Sequence, residues 1–156
     1  VIELELVGVR VELPHNQPIV LLKEQSGERF LPIWIGAVEA TAIAFALQGV
    51  VTARPMTHDL LRDVLSSLEV TVDRIVVTAL REGTFYAEIQ LTADGESVAV
   101  SSRPSDAIAL AVRATAPIFA DEAVLSEAGI EIEDDDADEV EQFKEFLDTV
   151  TPEDFK

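Results

Sequence analysis

Apolar residues recur at every second position from Ile2 through Leu4 and Leu6, and again from Val7 through Val9, Val11 and Leu13. The phase slips once, beside Gly8, so 2–13 reads as a long strand carrying a bulge. Residues 14–18, with two prolines around His15, form a loop. Strands are predicted over 19–23 and 29–35, with Ser26-Gly27 as the turn between them, which gives a β-meander. Residues 37–48 are apolar almost throughout, broken only by Glu39, Thr41 and Gln48, and Gly49 ends the run. A helix of that composition is buried on most sides, in the core or at a subunit interface. A second helix over 57–68 is amphipathic, with Leu60, Leu61, Val64, Leu65 and Leu68 predicted on its inner side.

The second half repeats the order. Strands are predicted over 70–80, 84–91 and 97–101, joined at Arg81-Glu82-Gly83 and Ala93-Asp94-Gly95. A helix over 105–115, a short strand over 118–120 and a turn of helix over 122–127 follow. The series βββαα then βββα is a weak internal echo. Strands and helices come in runs, which predicts an α+β fold: one domain, mostly antiparallel sheet, three to four packed helices. The domain is expected over 1–130.

Beyond it, 131–156 carries 12 acidic residues and two lysines. Its block 131–139 has too little to bury and is expected to be mobile. Val140, Phe143, Phe146, Leu147 and Val150 then recover helical spacing, as a short amphipathic segment. Deleting 131–156 is expected to leave the fold intact.

Composition narrows the function. The net charge of −19 repels a polyanion at long range, so contacts to nucleic acid have to be local. Eight of the nine cations before the tail are arginine, which suits fixed contacts to carboxylate or phosphate. The absence of cysteine removes disulfides, thiolate catalysis and Cys-ligated zinc. No apolar run reaches the ~18 residues of a membrane span, and no leader pattern is legible, so a cytoplasmic protein is expected. The apolar helix 37–48 and the strands offer more apolar surface than a small domain covers. A homodimer through that helix or an edge strand is therefore expected.

The chemistry concentrates in two related motifs, Arg54-Pro55-Met56-Thr57-His58-Asp59 and Arg103-Pro104-Ser105-Asp106. Each brings an arginine, a hydroxyl and a carboxylate to a strand-to-helix corner. Thr57 or Ser105 would cap the new helix, and the Asp favours its positive end. If the corners converge, Asp59 and Asp106 share a divalent cation while Arg54 and Arg103 clamp a phosphate. The structural alternative is an ion pair within each corner, Arg54–Asp59 and Arg103–Asp106. In that case Asp106→Asn would cost about 3–5 kcal/mol by stranding a buried arginine. His58 is placed to act as general base or metal ligand. Glu39, alone in an apolar helix, needs an arginine from a corner or a metal, unless it is exposed at the helix start. Trp34 reads as core or interface rather than as a base-stacking platform.

These residues carry a resemblance. Val20-Leu21-Leu22-Lys23-Glu24, Leu31-Pro32-Ile33-Trp34-Ile35-Gly36, Glu39-Ala40, the first Arg-Pro motif, Thr84-Phe85-Tyr86-Ala87 and Arg103-Pro104-Ser105-Asp106-Ala107-Ile108-Ala109-Leu110-Ala111 resemble the bifunctional nuclease domain family, in order and spacing over roughly 1–130. The resemblance implies an α+β domain that cleaves DNA and RNA. Family members commonly carry an Asp two residues before the second motif's arginine, where this chain has Ser101. The expected function is hydrolysis of phosphodiesters, assisted by Mg²⁺ or Mn²⁺. On that expectation His58, Asp59 and Asp106 would be catalytic, Arg54, Arg103 and Ser105 would bind phosphate, and Asp59, Asp106 and Glu39 would be the metal ligands. The rival expectation is a non-catalytic binding or regulatory module whose Arg/Asp cluster is structural or holds a small anion.

Overall fold

A computed structural model describes residues 1–12 and 17–131. His15 and residues 132–156 lie outside the described residues, and with them the amphipathic segment and all of the acidic block but Glu131.

The chain order is β1 (Ile2–Glu12), β2 (Gln17–Glu24), β3 (Arg29–Trp34), α1 (Ala37–Leu47), α2 (Thr57–Ser67), β4 (Thr71–Arg81), β5 (Thr84–Ala93), β6 (Glu96–Ser102), α3 (Pro104–Ala114), β7 (Ile118–Ala120), α4 (Glu122–Ala128) and β8 (Ile130–Glu131). All eight strands join one sheet in the order β6-β5-β4-β7-β1-β2-β3-β8. The predicted echo becomes architecture. Each meander begins beside β7 and runs outward, β1 to β3 on one side and β4 to β6 on the other. Every pairing is antiparallel except β4 with β7. The fold is the expected α+β domain, with one mostly antiparallel sheet and four helices.

Local chemistry sets much of this. The β1–β2 register shifts between Leu6 and Gly8, where the hydrophobic phase slips. The two later hairpins turn on Glu82-Gly83 and Asp94-Gly95, with φ positive at all four residues. That is the type I′ geometry whose twist matches the flanking strands. Buried side chains from every layer form one core, with Val20, Leu22, Leu31, Ile75 and Val77 from the sheet against Ile43, Ile108, Leu110, Val124 and Leu125 from the helices. Arg29 clamps one end of it, since its guanidinium meets Glu24 at 2.8 Å and Glu122 at 2.9 Å. The hydrogen bonds from Arg29 hold both carboxyls below their ordinary pKa.

Three expectations need correction. Glu131 pairs opposite Arg29 as part of β8, so the sheet takes in the first residue of the acidic block. Thr57 and Ser105 are not caps: Met56 and Arg103 hold the N-cap positions, and no side-chain cap bond forms there. Helix α2 is rotated part-way from its leucine pattern, with Leu61 and Leu65 still toward β5 and β6. Its only buried residue is His58, Leu65 packs against the core in part, and Leu60, Val64 and Leu68 are exposed. The polar first turn of α2 docks on α3 and fixes the rotation of the helix, which leaves the i, i+4, i+8 apolar stripe facing water.

Candidate active site

The first turns of α1, α2 and α3 each place an acid at the third helical position: Glu39, Asp59 and Asp106. That position ordinarily serves to cap the helix. Asp59 does so, accepting the Met56 N–H at 3.1 Å on Oδ2. The other two are drawn to one another through Arg103. Its Nε donates to Asp106 Oδ2 at 2.9 Å, and its Nη2 stands 2.8 Å from Glu39 Oε1. Asp106 Oδ1 meets His58 Nε2 at 2.9 Å. Glu39, Arg103, Asp106 and His58 thus form one chain of contacts that links the starts of three helices.

Gly36 is part of this arrangement. Its backbone is ordinary extended chain, but a Cβ there would collide with the Glu39 carboxylate. The glycine lets Glu39 fold back over the helix start and reach Arg103.

The second motif therefore holds together as expected, and the first does not. The Arg103–Asp106 pair forms. The Arg54–Asp59 pair does not: Arg54 is exposed and makes no ion pair among the described residues. Asp59 instead takes Arg113 Nε at 2.6 Å on Oδ1. Sequence reasoning missed Arg113. Its side chain is 5% exposed, and its two terminal nitrogens donate to Ala109 O and Ala42 O, both at 2.9 Å. One guanidinium so ties α2 to α1 and α3. The available signal was a single cation at the end of an otherwise apolar helix.

Charge and protonation follow from these contacts. Burial pushes the Asp106 carboxyl up, but hydrogen bonds from Arg103 and His58 outweigh it, and the pKa falls below the ordinary value. For Asp59, burial is likewise outweighed by the bonds from Arg113 and the Met56 N–H. Asp106, then Glu39, hold Arg103 more firmly protonated. An ionised Asp106 only accepts hydrogen bonds, so the proton in its bond to His58 sits on Nε2. The other ring nitrogen, Nδ1, has no hydrogen-bond partner among the described residues.

Two clefts meet at Arg103. One, about 470 Å³, runs between α2 and strands β5 and β6. His58, Asp106 and Arg103 line it beside an apolar floor of Leu61, Leu65, Ile89, Leu91 and Val100. Ser101 and Ser102 stand at its edge. The other, about 290 Å³, is lined by Trp34, Phe85, Arg103 and Ser105. Arg54 lines neither.

The expected cation cage is not assembled by these residues. Among the described residues, no three His, Asp or Glu side chains are placed to hold a metal ion together. Asp59 is committed to Arg113, and Glu39 and Asp106 share Arg103. Ser101 brings a hydroxyl to the cleft where the family resemblance implies a carboxylate.

Acid should expose these pairs. Carboxyls with a lowered folded pKa bind fewer protons folded than unfolded, so their stabilisation is present above ~4 and lost as pH falls through the depressed values. The melting temperature is expected to hold from pH 7 to about 5 and to drop below about 4, with a smaller drop in Asp59→Asn. A flat profile to about pH 3 would contradict the pairing.

The fold and the site define a class: a single α+β domain whose three helix starts gather a histidine, two acids and an arginine over a cleft. The chain belongs to the bifunctional nuclease domain family, whose profile matches residues 20–133. It is 48% identical over 163 residues to an uncharacterized protein of Mycobacterium tuberculosis, covering 99% of this chain and 98% of that one. It is 30% identical over 112 residues to bifunctional nuclease 2 of Oryza sativa subsp. japonica, covering 68% of this chain and 34% of the rice protein. Bifunctional nuclease 2 of Arabidopsis thaliana is 32% identical over 108 residues, covering 67% of this chain and 32% of its own. The chain thus spans about a third of the plant proteins' length.

Proposed function

We propose that this protein is a nuclease that hydrolyses phosphodiester bonds in DNA or RNA, with His58 as its proton-transfer group. The observation that carries the reading is the 2.9 Å contact between His58 Nε2 and an ionised Asp106. It orients the ring of a histidine that lines a cleft and leaves its Nδ1 without a partner among the described residues.

In the reaction, water attacks phosphorus while His58 Nδ1 takes its proton. The P–O bond to the leaving oxygen breaks, and the imidazolium, held by Asp106, returns the proton to that oxygen. Arg103 is 65% exposed and its Nη1 has no partner among the described residues, so it faces the negative charge gathering on phosphate. Family membership and the plant relatives named bifunctional nucleases support the same chemistry.

The test is cleavage of single- and double-stranded DNA and RNA by the purified chain, with and without EDTA, beside Asp106→Asn. The EDTA arm reads whether Mg²⁺ or Mn²⁺ enters with the substrate. Asp106→Asn is expected to lose roughly 10²-fold or more in rate. Its cost in stability should be about 1 kcal/mol or less from the Arg103 pair, because Arg103 is solvated rather than buried. This replaces the 3–5 kcal/mol expected of a buried pair. A variant that cleaves at the wild-type rate would instead favour a binding module, for which the internal pairing of Arg103 with Glu39 and Asp106 already speaks.

Of the two surfaces expected to carry a homodimer, an edge strand fits this reading better than helix α1. Helix α1 is largely buried within the protomer, whereas Leu60, Val64 and Leu68 of α2 and Val98 and Val100 of edge strand β6 are exposed.

A further inference from the structure

The smaller cleft on the far side of Arg103 plays no part in the proton transfer above. Its walls are aromatic. Trp34 is 55% exposed, although Leu31 and Ile33 of the same strand are buried, and Phe85, partly buried against the core, lines the same cleft. Alternation explains the exposure: Trp34 projects from the face of β3 opposite to Leu31 and Ile33. No cation or ring among the described residues covers the indole. Of the expectation that Trp34 belongs to the core or an interface, the core half therefore fails.

The polar groups of the cleft are few. Arg103 stands at its mouth, the Ser105 hydroxyl has no partner among the described residues, and Gln17 and Thr84 complete the rim. At about 290 Å³ the cleft lies at the small end of ligand pockets, which run from ~300 Å³ upward, so it suits one ring system. An exposed indole next to a guanidinium is the pairing that holds a nucleotide, with the base on the ring and the phosphate on the cation.

We infer that Trp34 and Phe85 form a base-binding subsite next to the Arg103 phosphate position, and that the substrate is accordingly a single-stranded nucleic acid. The inference rests on the nuclease reading for its ligand. A base locked in a duplex stack does not present its face to an indole, whereas an unpaired base does. Stacking tolerates any base, so the subsite selects strandedness rather than sequence.

Trp34 is the only tryptophan in the chain, so intrinsic fluorescence reports on this subsite alone. The full chain carrying His58→Gln, to prevent turnover, is titrated with a short oligodeoxythymidylate, the matching oligouridylate and a blunt duplex of equal length. Saturable quenching by the single strands and at least tenfold weaker quenching by the duplex are expected. The two single strands distinguish deoxyribose from ribose. In the otherwise wild-type chain, Trp34→Ala should raise KM for single strands roughly 5- to 150-fold with kcat and melting temperature nearly unchanged. Trp34→Phe should restore most of the loss.

Cleavage of single strands with no quenching and no effect of Trp34→Ala would overturn the subsite while leaving the nuclease standing. Quenching by single strands in a chain that cleaves nothing would support the subsite and remove the nuclease reading. A changed sedimentation coefficient for Trp34→Ala, with oligonucleotide affinity intact, would assign Trp34 to a protein interface and overturn the inference.

Discussion

Replacing Arg113 with alanine is expected to lower the stability of the fold by about 3–5 kcal/mol, a large share of a small domain's total. The guanidinium is almost wholly buried and has no substitute. Its removal takes from Asp59 its hydrogen-bonded cation, leaving only the more distant Arg62, and from the Ala42 and Ala109 carbonyls their side-chain donor. Asp59 keeps the Met56 N–H and about a quarter of its exposure, which puts the loss toward the lower end of that range. Arg113→Met preserves the packing of the stem, so its difference from alanine measures volume and its remaining deficit measures charge. Chemical denaturation of Arg113→Ala, Asp59→Ala and the double variant should show strong coupling, the double costing little more than Arg113→Ala alone. A loss below about 1 kcal/mol in Arg113→Ala would mean that water replaces the guanidinium and that the three helices are held by apolar packing.

The second large effect is catalytic. His58→Gln is expected to reduce phosphodiester cleavage by about 10²- to 10⁴-fold, the range that a positioned general acid–base group contributes. Glutamine is a close fit at this buried position and keeps an N–H able to donate to Asp106. What it lacks is a nitrogen that takes a proton. Melting temperature should therefore move little while the rate collapses. Cleavage at the wild-type rate would show that His58 serves only to join α2 to α3.

Much of the fold is legible in the sequence because its determinants are local. The phase slip at Gly8 fixes the bulge, Glu-Gly and Asp-Gly fix two hairpins, and alternation fixes the strands. The second Arg-Pro motif is also local, with Arg103 and Asp106 close enough in sequence to pair in any helix start. Partners drawn from far along the chain are another matter. Asp59 lies 54 residues from Arg113 and His58 lies 48 from Asp106. Spacing gives no hint which arginine a given acid will meet. The rotation of α2 failed for the same reason: its leucine stripe predicts one inner face, and two long-range polar contacts in the first turn impose another. For Glu39, burial logic does supply the answer, since a lone acid on an apolar helix required a cation and found Arg103.

Strand β7 carries a consequence for biosynthesis. These three residues, 118–120, lie between β4 and β1 and, among the described residues, are the only link between the two meanders within the sheet. While the ribosome is still making the chain, both hairpin systems can zip up, yet neither can be joined to the other. At a translation rate of about 5–20 residues per second, that interval lasts seconds from the completion of the first meander. Throughout it β1 presents an open edge to whatever chain is nearby, and β4 does so once it has been made. The nascent protein is then most exposed to mispairing, and a holdase that shields strand edges would act on it before residue 120 emerges.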